Sequence, residues 1–166
     1  VEVHSIVGFR NKDLVILEDE FKACSDKFIV MTDDGSHGRQ GVVTTPLEEM
    51  IKAGENYDLV ITIGPLIMMK FVVKTTKPYN IPTTVSMNPI MIDGTGMCGG
   101  CRLTVGGETK FACVDGPDFD GFQVDFDEAM KRGAMYKEFE RKAYSEACNL
   151  VFLAPLHLQI PLVAFR

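Results

Sequence analysis

Three cysteines and an aspartate stand close together in the middle of the chain, in a stretch thick with glycine. Asp93, Cys98, Cys101 and Cys113 are separated by four, two and eleven residues. Thiolates are strong ligands for soft metals, and a Cys-x2-Cys pair with a third cysteine downstream is a metal-binding pattern one ligand short. Asp93 can supply the fourth ligand through a carboxylate oxygen. Gly94, Gly96, Gly99 and Gly100 lie among these residues. A loop wrapped around a metal–sulfur group needs positive φ and close backbone approach, and glycine allows both. Bridging sulfides are anionic and need N–H donors aimed at them.

The intervals decide among the chemistries. A plant-type [2Fe–2S] site spaces its ligands C-x4-C-x2-C followed by a distant cysteine. This chain keeps each interval and has Asp93 where the first cysteine would stand. A zinc ion held by three cysteines and an aspartate has a workable donor set, but zinc knuckles do not ordinarily need an x4 interval or so many glycines. A redox dithiol belongs at the start of a helix, whereas here Gly99-Gly100 separates the cysteines and hairpin-forming residues follow. The spacing therefore favours [2Fe–2S]. Cys24 and Cys148 read as ordinary buried thiols.

The site needs elements to hold it. RLTV and ETKFA alternate apolar and polar residues around Gly106-Gly107, a two-residue hairpin signal that would return Cys113 to the loop. Before the loop, β-branched runs alternate with helical segments. VEVHSIV, KFIVMTD, YDLVITIG and TTVSM read as strands. DLVILEDEFKACS reads as one helix, with Leu14, Leu17 and Phe21 on a single face. TPLEEMIKAG reads as a helix capped by Thr45, with Pro46 at its first position and Gly54 at its end. PLIMMKFVVKTT reads as a third helix. Alternation of this kind predicts an α/β fold with a parallel sheet covered by helices on both faces. A charged amphipathic helix is expected from about Asp125. The division is residues 1–88 as a nucleotide-binding lobe, 89–122 as a cluster-binding lobe, 123–147 as a C-terminal helix, and 148–166 as a tail without assigned function or strand register.

Composition excludes several classes. The 166 residues are 46% hydrophobic and 24% charged, as expected of a globular chain, and the net charge of −6 carries no basic block for nucleic acid. No stretch nears the roughly 20 apolar residues of a membrane span. Five cysteines, three within a short window, suit a reducing cytoplasm better than a disulfide scaffold. Val1 stands without an initiator Met or signal sequence, so the chain reads as starting partway through a longer polypeptide.

DGTGMCGGC, the hairpin and FACVDGPDFDG, together with TDDGSHGRQGVVT and IGPLIMMK, closely resemble the small subunit of NADH-dependent reduced ferredoxin:NADP oxidoreductase. They are similar, more distantly, to the electron-transfer subunit of dihydroorotate dehydrogenase, where the first ligand is cysteine. The resemblance covers about residues 1–142. It implies a ferredoxin-reductase-like fold, with FAD and NAD(P)H bound by the full-length protein and electrons passed through the cluster to a large flavin/iron–sulfur partner subunit. Ferredoxin would be an indirect redox partner. The chain departs from the pattern in lacking the FAD-binding barrel and the first strand of the nucleotide lobe with its glycine-rich pyrophosphate turn. It is expected to be inactive alone, with an open sheet edge where that strand belongs. A dihydroorotate dehydrogenase electron-transfer subunit is the close alternative, and a zinc-stabilised interaction domain the distant one.

Further candidates lie at strand ends, where open α/β sheets bind ligands. Gly64-Pro65 opens a helix and, by the resemblance, lies against the nicotinamide; it can equally be a helix-starting proline. Thr32, Asp33 and Asp34 could hold ribose hydroxyls and repel a 2′-phosphate, or form a solvated turn. Arg10 could meet the adenosine phosphate end, or be an ordinary surface charge.

Overall fold

The computed structural model describes residues 1–147 and 162–165. Strand β1 (Val3–Phe9) pairs in parallel with β2 (Lys27–Thr32), which pairs in parallel with the short β3 (Arg39–Gln40). Strand β4 (Leu59–Ile63) pairs in parallel with β5 (Thr83–Ser86). Helices α1 (Glu18–Cys24), α2 (Thr44–Lys52) and α3 (Leu66–Thr76) fill the connections. The expected α/β fold is present.

Side chains along β1 alternate between the sheet's two faces, as strand geometry requires. Ile6 joins Met31, Leu47, Val60 and Val72 in a core that includes residues of α2 and α3. Val7 and Phe9 join Val30 in a second cluster with Phe21 of α1 packed against it. No described helix is long and apolar enough to cross a membrane.

The segment before β2 differs from its expected single helix. A 3-10 turn covers Lys12–Leu14, Leu17 adopts φ 53, and α1 begins only at Glu18. Asn11 caps the 3-10 turn by accepting the Asp13 N–H at 3.1 Å. Glu18, Asp19 and Glu20 then occupy the first turn of α1, where the helix dipole favours negative charge. Leu14 and Leu17 are exposed and only Phe21 packs, its ring stacked 6.3 Å from that of Phe28. Cys24 is exposed rather than buried. Helix α2 starts at Thr44 without a side-chain cap, so Thr45 is inside it, and Gly54 follows its end at φ 96.

Two antiparallel strands, β8 (Asp118–Asp120) and β9 (Leu162–Phe165), complete the sheet, in the order β3-β2-β1-β9-β4-β5-β8. Strand β8 pairs with β5 at one edge. Strand β9 lies between β1 and β4 and pairs with both. The central position is thus occupied, not an open edge, and the end of the chain does have strand register. Cys148 lies outside the described residues.

The hairpin β6 (Arg102–Val105) and β7 (Glu108–Phe111) forms a separate two-stranded sheet. Gly106 and Gly107 take φ 60 and 82, the two positive values that a tight hairpin turn requires. The hairpin is fastened to the main sheet by a shared core of Leu103, Ala112 and Cys101 with Met69, Val85, Phe119 and Phe126. The charged C-terminal segment is two helices, α4 (Phe126–Gly133) and α5 (Lys137–Ala147), broken after Gly133. Asp125 caps α4 by accepting the Glu128 N–H at 2.9 Å. Asp125→Ala is expected to cost about 1 kcal/mol, read as a lower urea midpoint with an unchanged slope.

Candidate metal centre

The four candidate ligands fall into two pairs. Cys101 ends the glycine loop, and its carbonyl accepts the Ala112 N–H at 3.2 Å, so the hairpin ladder runs directly into the site. That contact sets Cys113 beside Cys101, with the sulfurs 3.2 Å apart. The separation is well beyond a disulfide bond of about 2.05 Å, and both cysteines are free. Two thiolates sharing one tetrahedral metal at about 2.3 Å lie about 3.8 Å apart, a small adjustment from what is observed. The hydrogen bond shared with the Cys101 thiol, and after it burial, raise the Cys113 thiol above its ordinary range. A bound cation reverses that logic by coordinating both sulfurs as thiolates.

Asp93 and Cys98 make the second pair. The Asp93 carboxyl is held below its ordinary range, chiefly by the Thr95 backbone N–H and also by hydrogen bonds from the side chain and backbone of Cys98. The Thr95 bond measures 2.9 Å. An ionised carboxylate beside a thiol is a competent oxygen–sulfur ligand pair. Among the described residues, no three His, Cys, Asp or Glu side chains converge on a point that one metal ion could occupy. Cys101 and Cys113 are thus the two candidate ligands whose sulfurs are already in contact.

Gly94, Gly96 and Gly99 have positive φ; Gly100 does not, but a Cβ there would stand 2.8 Å from Ile92. Gly99 matters most directly. At φ 66 it turns the backbone so that the next amide, Gly100 N–H, donates to Cys98 Sγ at 3.4 Å. Cys24 is no part of this site: its thiol contacts the Phe21 carbonyl at 3.5 Å within α1.

The strand-end candidates divide differently. The Asp33 and Asp34 amides donate to the Phe9 and Arg10 carbonyls at 3.1 and 3.3 Å, which joins Arg10 to the acidic turn. Asp34 accepts the Ser36 hydroxyl at 2.6 Å and the Ser36 N–H at 2.9 Å, which depresses its carboxyl. Thr32 is buried and its hydroxyl donates to the His37 carbonyl at 2.6 Å, so it fixes the turn from below. Asp33 and Pro65 meet in one cavity of about 520 Å³ that also touches Gly8 and Val43. Pro65 sits at the N-cap of α3 instead of its first turn, and Gly64 takes φ 147.

A second cavity, about 660 Å³, runs from Pro65 past Asn88 to Cys98 and the end of α4. Asn88 donates to the Gly64 carbonyl at 3.2 Å, tying the strand-end turn to the start of the ligand loop. Sequence reasoning missed Asn88, and also Arg102 and Arg132, which bond the carbonyls of Gly99 and Gly100. Only Arg102 carried a signal, its place directly after a ligand.

Residues 88–125 match the family described as the iron–sulfur cluster binding domain of dihydroorotate dehydrogenase B. The chain is 49% identical over 142 residues to a dihydroorotate dehydrogenase B (NAD(+)) electron transfer subunit homolog of Thermotoga maritima. This chain is homologous to the iron–sulfur electron-transfer subunits. It is also 55% identical over 147 residues to an uncharacterised protein encoded in an adh 3′ region of Clostridium beijerinckii. These alignments cover 86% and 88% of the chain and 50% of each relative, so the chain spans about half the length of the curated relatives it matches. A solved chain from work on flavin-based electron bifurcation by NADH-dependent reduced ferredoxin–NADP oxidoreductase superposes with a TM-score of 0.75 at 48% identity. That match covers 86% of this chain and 51% of the solved one. The chain is thus similar to oxidoreductase subunits over about half their length, and its residues 88–125 match an iron–sulfur cluster binding domain.

Proposed function

We propose that this chain is the nucleotide- and cluster-binding part of an electron-transfer subunit that links NAD(P)H and FAD, through a [2Fe–2S] cluster, to a larger partner subunit. The observation that carries this reading is the hairpin that returns Cys113 to the glycine loop, its sulfur 3.2 Å from that of Cys101, with Asp93 and Cys98 in the same loop. In this reading residues 1–88 bind the nucleotide, 89–122 hold the cluster, and 123–147 buttress the loop. Nicotinamide and flavin supply two-electron chemistry when bound, and the cluster supplies one-electron steps.

The chain's own residues bind and orient. Asp93 and Cys98 would hold one iron, and Cys101 and Cys113 the other. Asp33, at the carboxyl end of β2, offers an acceptor for a ribose hydroxyl and disfavours a 2′-phosphate, which supports NADH as donor. Arg10 stands beside it for the phosphate end. The Gly64-Pro65 turn borders both cavities and so lies between the nucleotide edge and the cluster loop. The partner is a large flavin/iron–sulfur subunit, with ferredoxin reached indirectly.

Anaerobic reconstitution is the test. The loaded chain should be reddish-brown, hold about two irons and two sulfides, and give a rhombic paramagnetic signal after one-electron reduction. Stoichiometric zinc without sulfide would sink the reading.

A further inference from the structure

Two guanidinium groups lie against the turn between Cys98 and Cys101. Arg102 Nη1 donates to the Gly99 carbonyl at 3.3 Å, and Arg132 Nη2 donates to the Gly100 carbonyl at 3.5 Å. They arrive from different elements, the first residue of β6 and the last turn of α4. Two cations from two elements thus bracket two consecutive carbonyls.

A trans peptide points its C=O and its N–H in opposite directions. The peptide joining Gly99 to Gly100 therefore has its oxygen on Arg102 and its N–H on Cys98 Sγ, 3.4 Å away. A guanidinium pulling on the carbonyl both fixes that peptide plane and polarises its N–H. Arg132 holds the oxygen of the next peptide, Gly100–Cys101, and so fixes that plane as well.

We propose that Arg102 and Arg132 are positioning residues that fix the two peptide planes of the Gly99–Gly100 turn, keeping the Gly100 amide on Cys98 Sγ, and that they thereby favour the reduced state of the cluster. The proposal rests on the iron–sulfur reading above. Reduction adds one electron and its negative charge to the cluster, with no bond made or broken in the chain. Hydrogen bonds to the sulfurs and nearby positive charge both stabilise that added charge. Arg132 is half-buried, so its charge is less screened than a surface cation. Lys137 borders the same cavity, and Asp115 accepts the Phe111 N–H nearby.

The experiment is a mediated spectroelectrochemical titration of the anaerobically reconstituted chain. The variants are Arg102→Met, Arg132→Met, Arg102→Lys and, as a control, Lys110→Met. Lys110 lies on the same hairpin but pairs with Glu108. Each arginine-to-methionine variant should keep its iron and sulfide and lower the reduced-to-oxidised ratio at fixed poise about tenfold, equivalent to about 59 mV. Arg102→Lys should recover part of the loss, and Lys110→Met should shift the midpoint far less. Unchanged midpoints in both methionine variants overturn the proposal, as does an equal shift in Lys110→Met. Should Arg102→Met hold no cluster, Arg132→Met decides alone by the same criterion. A wild-type chain that assembles no iron and sulfide would instead overturn the underlying reading.

Discussion

Asp93→Ala is expected to make the centre labile, with iron lost to a chelator at least on the order of a hundredfold faster. Even residues one step removed from a metal are worth about 10–100-fold in affinity, and Asp93 is assigned as a ligand itself. The substitution would leave one iron with only Cys98 from the protein. Asp93 has a second role, since it accepts the Thr95 N–H at 2.9 Å and closes a turn. Asp93→Asn separates the two. The amide oxygen preserves the turn bond but not the anionic ligand, so Asp93→Asn should behave like Asp93→Ala. Asp93→Cys should restore a four-thiolate site and retain iron and sulfide. Cys24→Ala, on exposed α1, should change nothing. Retention of iron, sulfide and spectrum in Asp93→Asn would reduce Asp93 to a turn former.

Cys113→Ala is the second large effect, and near-complete loss of the cluster is expected. Cys113 brings the far end of the hairpin back to the loop, its sulfur 3.2 Å from that of Cys101. Removing it leaves the other iron with one protein ligand. Cys113 is a cleaner test than Cys101, which is buried in the core shared with Leu103 and Phe119, so that truncation there also damages packing. Cys113→Ser should keep part of the colour, because a serine oxygen can bind ferric iron more weakly. A Cys113→Ala chain that still holds two sulfides would show that some other residue completes the site.

The hairpin that returns Cys113 to Cys101 was legible because its information is local. Three cysteines and an aspartate at fixed intervals, with Gly106-Gly107 forcing a tight hairpin, leave few other arrangements. The alternating strands and helices were legible for the same reason. Helix α1 was not, because apolar spacing at Leu14 and Leu17 suggested a face that the chain does not bury. The acidic run at Glu18–Glu20 marked the real start of the helix. Strand β8 is three residues long, and only its pairing with β5 defines it. Strand β9 likewise exists through its partners β1 and β4, whose proximity cannot be read from LVAF. Arg132 was invisible for a related reason: it lies 32 residues from the carbonyl it bonds, and only the packing of α4 onto the hairpin brings it there.

The central claim is that one iron takes an oxygen and a sulfur from Asp93 and Cys98 while the other takes two sulfurs from Cys101 and Cys113. Mössbauer spectroscopy of the oxidised chain, loaded with isotopically enriched iron, tests this directly. The account predicts two resolved ferric environments in about equal amounts, one of them with the higher isomer shift expected of partial oxygen coordination, collapsing to a single environment in Asp93→Cys. A wild-type spectrum with one all-sulfur environment would contradict it.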